Sequence, residues 1–346
     1  MKKVDYIIVG CGLAGISFCE TLKANKKSFV VFDNGSQQSS IVAAGLYNPV
    51  VLKRFTSVWK AQEQLEMALP HYTKLEDDLN IKIDYQHSIY RRFNSIEEQN
   101  MWFTAADKLS LEPFLSTTIQ KNTNPYIDAP FGLGEVLHGG RVDTQKLIVT
   151  YKADIMAEGC LLEEPFRYSD LEIISDKVIY KTIEAKAVVF AEGFGLKHNP
   201  FFNYLPLTGT KGEVLMIKAP DLKLDNAIKS SVFIIAIGND LYRVGATYEW
   251  TDKTNTPTQT AKEELLSKLR TFINCDFEVV DHRAGVRPTT KDRRPIVGQH
   301  HTYKKLYVLN GLGSRGVMIG PYVAQQLFNF IENGKSLDSE IDIARF

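Results

Sequence analysis

The sequence predicts an α/β fold in two parts: a discontinuous parallel-sheet domain, with an antiparallel-sheet (α+β) domain inserted into it. Three observations carry this. Short apolar runs of the buried parallel-strand type occur at 6–9, 29–32, 187–191 and 306–309, at both ends of the chain and in its middle. Glycine-rich turns follow the first and last of them, at 10–15 and 311–316. Between 212 and 248 the pattern changes to paired β runs around Gly238-Asn239-Asp240.

In chain order, Tyr6 to Val9 reads as a strand and Gly10-Cys11-Gly12-Leu13-Ala14-Gly15 as a tight turn. A helix follows, with Ala14, Phe18, Cys19 and Leu22 on one face. Phe29 to Phe32 is a second strand, ending at Asp33, so the first thirty residues form a Rossmann-like β-α-β unit. Residues 34–57 read as a long loop. Apolar residues at helical spacing resume at Val58 and continue to Leu79, with a kink expected at Pro70. Ser95 with Glu98 is a capping-box pattern, and Asp143 is expected to cap the helix after it. The runs 232–237 and 241–247 flank the hairpin signal. A final helix is expected from about Val317 to a stop at Gly334.

Composition narrows the function class. The 346 residues favour two domains, and 44% hydrophobic with 24% charged residues is the balance of a globular enzyme. Forty-one basic residues match 41 acidic ones, so no general attraction to nucleic acid or anionic membrane is expected. No apolar run reaches the roughly 20 residues of a membrane span. Cys11, Cys19, Cys160 and Cys275 form no C-x-x-C pair, and no His/Cys cluster has metal-site spacing. No metal is expected, and reduced cysteines fit a cytoplasmic setting.

The N-terminal turn carries the first candidate site. In a G-x-G-x-x-G between strand and helix, Gly10 permits the turn, Gly12 lets the backbone approach a pyrophosphate, and Gly15 lets helix and strand pack closely. The helix N-terminus offers unpaired N–H groups to phosphates. Asp33, 18 residues beyond Gly15, is placed to accept ribose hydroxyls, and argues against a 2′-phosphate. The candidate contacts are therefore Gly10, Gly12, Leu13, Ala14, Gly15, Asp33 and Asn34. The motif alone leaves FAD and NAD open.

The C-terminal segment is more specific. Ala284-Gly285-Val286-Arg287-Pro288-Thr289-Thr290-Lys291-Asp292 and Asn310-Gly311-Leu312-Gly313-Ser314-Arg315-Gly316 resemble the closing signature of the FAD-dependent D-amino-acid-oxidase superfamily. Its members include glycine and sarcosine oxidases. Ala43-Ala44-Gly45, Ala187 to Gly193 and Tyr242 to Thr247 look like further family elements. Gly-Leu-Gly-Ser-Arg-Gly is also similar to the oxidase module of the bifunctional enzymes that make 5-methylaminomethyl-2-thiouridine in tRNA.

The resemblance implies non-covalent FAD, since no cysteine lies in 284–292 where some relatives attach flavin. It adds Ala43, Ala44, Gly45, Leu46, Glu192, Gly193, Arg287, Gly311, Leu312, Gly313, Ser314, Arg315, Gly316 and Val317 to the candidate cofactor contacts. Residues 1–75, 140–200 and 285–346 would form the FAD-binding domain, and 76–139 with 201–284 the substrate domain. Two residues are candidates for catalysis. Arg287 would grip the substrate carboxylate through two parallel hydrogen bonds. Arg243 stands where sarcosine-oxidase-like relatives carry a lysine beside the flavin, and arginine there puts direct use of oxygen in doubt.

The implied activity is oxidation of the C–N bond of a small amino acid or N-substituted glycine by hydride transfer to flavin, with hydrolysis of the imine. The expected partner is a small amine bearing a carboxylate, and oligomerisation is left open. The alternatives are oxidation of a carboxymethylamino group on a tRNA wobble uridine, a non-catalytic FAD-binding subunit, and an NAD-dependent dehydrogenase.

Overall fold

The computed structural model describes residues 1–346. Its first sheet is mainly parallel. Strand Lys2–Val9 lies between Phe29–Phe32 and Ile183–Phe190, and Leu161–Leu162 extends the sheet beyond Phe29–Phe32. Along the far edge of Ile183–Phe190, Leu306–Asn310 pairs in parallel with the carboxyl half, and Val178–Tyr180 pairs antiparallel with the amino half. Ile296–Gln299 closes that side. The four predicted strands are thus neighbours although they come from three distant stretches of chain. Their side chains are almost all buried, as expected for strands covered on both faces.

Seven helices follow in chain order: α1 (Leu13–Ala24), α2 (Ser39–Val42), α3 (Ala61–Leu79), α4 (Ile96–Ala106), α5 (Thr144–Ala157), α6 (Gln259–Leu269) and α7 (Gly316–Asn333). The largest core fills the space between one face of the first sheet and α1, α3, α5 and α7. Helix α7 ends at Gly334 in a left-handed C-cap (φ 64°), and Asp143 caps α5 by accepting from the Lys146 N–H at 3.1 Å. Ser95 caps α4 through the Glu98 N–H. The Glu98 carboxylate accepts from the Asn94 N–H instead of closing a capping box. The expected loop at 34–57 contains α2 and three two-residue strands.

The second sheet has the order 278–287, 210–218, 241–245, 233–238, 227–229, 89–92, 133–136 and 115–120. The hairpin Phe233–Gly238/Leu241–Gly245 turns at Asn239 and Asp240, both at positive φ. One face of this sheet, with Leu215, Ile217 and Val244, packs on α6 through Leu265 and Leu269. The opposite face, with Gly212, Val214, Met216, Arg243 and Arg287, looks toward the first sheet's helices, because side chains alternate along a strand. No helix is long and apolar enough to cross a membrane.

Candidate functional site

The glycine turns and acids found in the sequence line up in space. Gly10, Asp33, Glu192 and Gly311 each follow the carboxyl end of one of four adjacent parallel strands, the place where open α/β sheets take ligands. Gly10 has φ +102°, which a residue with a side chain rarely adopts, and a Cβ there would meet Ala191 O at 2.5 Å. A Cβ on Gly15 would meet Gly10 O at 2.0 Å, so this glycine sets how closely α1 enters the turn.

The backbone N–H groups of Gly12, Ala14 and Gly15 have no acceptor in the protein, whereas that of Leu13 donates weakly to Ser40 Oγ at 3.3 Å. At the second turn, the N–H groups of Gly316 and Val317 are likewise unpaired. Two helix N-termini with free donors, side by side, fit an extended ligand with anionic or carbonyl oxygens. Leu312 is buried, Ser314 is exposed, and Gly313 N–H donates to Pro288 O at 3.0 Å, which ties this turn to the Arg287 segment.

Asp33 accepts from Cys11 N–H at 2.6 Å, Gly35 N–H at 2.8 Å and Lys152 Nζ at 2.7 Å. Lys152, on α5, was invisible to the sequence argument because 119 residues separate it from Asp33. Asn34 is exposed, with its side chain accepting from Ser36 N–H. Glu192 accepts from Asn199 Nδ2 at 2.8 Å and the Tyr168 hydroxyl at 2.5 Å. Burial outweighs these bonds and pushes its pKa up to about 7. Gly193 O accepts from Asn310 Nδ2 at 2.9 Å, joining two of the ligand-side turns.

Ala43 and Ala44 leave α2, and Gly45 turns at φ +76° with no room for a Cβ against Val142 O, 1.8 Å away. Leu46 then pairs with Arg141. Arg243 donates from Nη1 to Ala43 O at 2.6 Å.

Arg287 ends its strand with its guanidinium lying over Gly212, whose missing side chain makes the space: a Cβ there would meet Nη2 at 1.9 Å. Tyr248 covers it with its ring centroid 4.7 Å away, and Nη1 donates to Thr247 O at 3.2 Å. Burial pushes the pKa of Arg287, and also that of Arg315 at the second glycine turn, below its ordinary value. Tyr248 is near enough to oppose the shift in both. Neither guanidinium has a carboxylate partner. Gly212, Tyr248 and Lys211 are the residues sequence reasoning missed. Lys-Gly-Glu and Tyr-Glu-Trp carry no motif, and only the sheet register brings them to Arg287.

The structure does not bring Arg243 and Arg287 together. On strand 210–218, Arg287 pairs with Thr210 and Arg243 with Met216. Six residues of strand put their backbones about 20 Å apart on the same face. Arg283 lines a small cavity together with Arg243.

This architecture, with free helix N-termini at the strand ends and a second sheet closing over them, defines a dinucleotide-dependent redox enzyme. The chain belongs to the FAD-dependent oxidoreductase family (DAO), whose model matches residues 5–329, and it is an FAD-dependent oxidoreductase. It is similar to the glycine oxidase of Geobacillus kaustophilus, with 22% identity covering 99% of this chain and 96% of that one. The crystal structure of glycine oxidase from Geobacillus kaustophilus superposes with a TM-score of 0.81 at 20% identity, covering 100% of this chain and 98% of that chain.

It is also 29% identical to the tRNA 5-methylaminomethyl-2-thiouridine biosynthesis bifunctional protein of Shewanella halifaxensis, over 41% of this chain and 28% of that protein. The same bifunctional protein of Campylobacter fetus is 31% identical over 88% of this chain and 49% of its own length. The chain therefore spans half or less of these bifunctional relatives.

Proposed function

We propose that this enzyme oxidises the C–N bond of a small amino acid or N-substituted glycine, the imine product then hydrolysing. The observation that carries this is Arg287: a half-buried guanidinium without a carboxylate partner, held flat against Gly212 beside the second glycine turn. A cation partly withdrawn from water in that state is completed by an anionic ligand, and a planar guanidinium suits a carboxylate. FAD, when bound, supplies the hydride acceptor.

In this reading the residues of the chain bind and orient. The first glycine turn and Asp33 would hold the adenosine and pyrophosphate half of non-covalent FAD, with Leu13, Ala14 and Asn34 alongside. The second turn, Gly311 to Val317, would point its free N–H groups at the flavin, with Ala43 to Leu46, Glu192 and Gly193 completing the cradle. Arg287 would hold the substrate carboxylate so that the adjacent carbon meets the flavin. Tyr248 would keep water from the ion pair. Arg243 would act through charge near Ala43. The two sheets would correspond to a cofactor-binding and a substrate domain, in a cytoplasmic enzyme.

Anaerobic mixing of the FAD-loaded protein with glycine, sarcosine and other small amino acids tests the reading. Bleaching of the blue flavin band by a glycine-like compound is the expected result. An unchanged spectrum across the panel would overturn it.

A second reading keeps the same anchor but attaches the glycine-like group to a tRNA wobble uridine. Tyr248, 62% exposed against Arg287, and Trp250, 58% exposed two residues further on, favour it, since exposed aromatics can stack on bases. Binding of tRNA that weakens steeply with salt would select this reading.

A further inference from the structure

We infer that the cleft between α5 and the second sheet is a second anion-recognition site, one that takes a small organic molecule bearing a carboxylate or phosphate group. The cleft has a volume of about 330 Å³, within the range of small-ligand sites. Arg141, Asp143 and Lys146 form one wall, and Arg243 with Met216 and Ile237 the other.

Arg141 is the reason to expect a ligand. It is 4% exposed, on the strand Gly140–Val142. Its guanidinium stacks 4.6 Å from the Tyr85 ring centroid. Its Nε is buried with no hydrogen-bond partner, and its one polar contact is a long one, to Asp143 Oδ2 at 3.5 Å. Arg243, 7% exposed, uses Nη1 on Ala43 O and leaves the rest of its fork free. Lys146 contributes a third cation, its Nζ donating to Lys82 O at 3.2 Å. Three cations thus line the cleft with one carboxylate, Asp143, while Asp281, which also acts on Arg243, is paired with Arg283 at 2.6 Å. Burial is the largest cause disfavouring the charge on Arg243, Arg141 and Arg283 add to it, and Asp143 and Asp281 oppose.

Burying two guanidiniums near one another is costly unless anionic charge completes them. An oxyanion between the walls would supply acceptors for Arg141, Lys146 and Arg243 together. Met216, Ile237 and Val149 would cover an apolar body attached to it. Arg141 lies too deep for a polynucleotide backbone to reach, which selects a small molecule. The inference is separate from the Arg287 reading, since the Arg287 guanidinium lies over Gly212, four strand residues or roughly 13 Å from Met216 in the cleft wall.

The test uses FAD-loaded Arg287→Ala protein, so that the proposed substrate anchor takes no part. Inorganic phosphate and benzoate are titrated by calorimetry. One saturable site is expected. Tighter phosphate binding would indicate a phosphate ester as ligand, and tighter benzoate binding a carboxylate. Adding Arg141→Gln or Lys146→Ala should weaken binding about 10-fold or more, as loss of a charged hydrogen bond does. Met216→Trp should block it by filling the cleft with every charge retained. FAD content should be unchanged in all three. If Arg141→Gln does not fold, the other two variants carry the test. No binding of either anion, binding indifferent to these substitutions, or loss of FAD in place of loss of the anion would each overturn the inference.

Discussion

Arg287 and Gly212 occupy one space. They sit on neighbouring antiparallel strands, and the guanidinium fills the volume that any side chain at 212 would need, since a Cβ there would lie 1.9 Å from Nη2. The position of the anchor is therefore set as much by the absence of a side chain on the next strand as by the arginine itself.

This relationship gives a paired prediction. Arg287→Ala should lower kcat/KM for a carboxylate-bearing amine roughly 10- to 200-fold, the equivalent of about 1.5–3 kcal/mol for a charged hydrogen bond. Gly212→Ala keeps the arginine but displaces it, and should produce a loss of similar size. FAD content, read from the visible spectrum, should match wild type in both. Wild-type turnover by Gly212→Ala would refute the geometric account.

Tyr248 covers Arg287 through its ring, so Tyr248→Phe should keep most of the affinity for substrate. Tyr248→Ala should raise KM about two- to fivefold, the scale of a cation–π contact. Steady-state kinetics of the two variants side by side would separate the ring from the hydroxyl.

The loop bearing Tyr248 is tied down by a buried lysine. Lys211, fully buried, donates to Asp252 Oδ2 and Thr256 O, each at 2.5 Å, and lies 3.5 Å from Glu213. Glu213 in turn accepts from the Thr258 N–H and hydroxyl at 2.8 and 3.0 Å. Lys211→Met should destabilise the fold by about 3 kcal/mol, because it leaves Asp252 without its cation and buried Glu213 with His282, at 2.9 Å, as its remaining basic neighbour. It should also raise KM by freeing the loop. Urea melts should show the first effect, and a wild-type midpoint would argue against the latch.

Glu192 makes stability depend on pH. Burial raises its pKa from 4.5 to about 7, against hydrogen bonds from Asn199 and Tyr168. The folded protein therefore favours the protonated acid. This contribution is complete below the unfolded value of 4.5 and is lost as pH rises through about 7. Since the residue keeps some exposure, the total is on the order of 2 kcal/mol. Glu192→Gln, neutral at every pH, should remove this part of the slope. Thermal melts of the two proteins at acidic and alkaline pH should converge in acid and diverge in base.

Local sequence by itself determined the β-α-β unit, the two glycine turns, the caps at Ser95 and Asp143 and the stop at Gly334, because each depends on residues a few positions apart. It also singled out Arg287 through a motif. Tertiary structure decided the rest. The pairing of Thr210–Lys218 with Glu278–Arg287 put Gly212 beneath the anchor, and α5 carried Lys152 to Asp33. The fold also turned three short strands and α2 out of an apparent loop, and gathered Arg141 and Arg243 around one cleft. These relations join residues roughly 75 to 120 apart in the chain or depend on register, and register is set by packing of whole sheets, which no local pattern encodes.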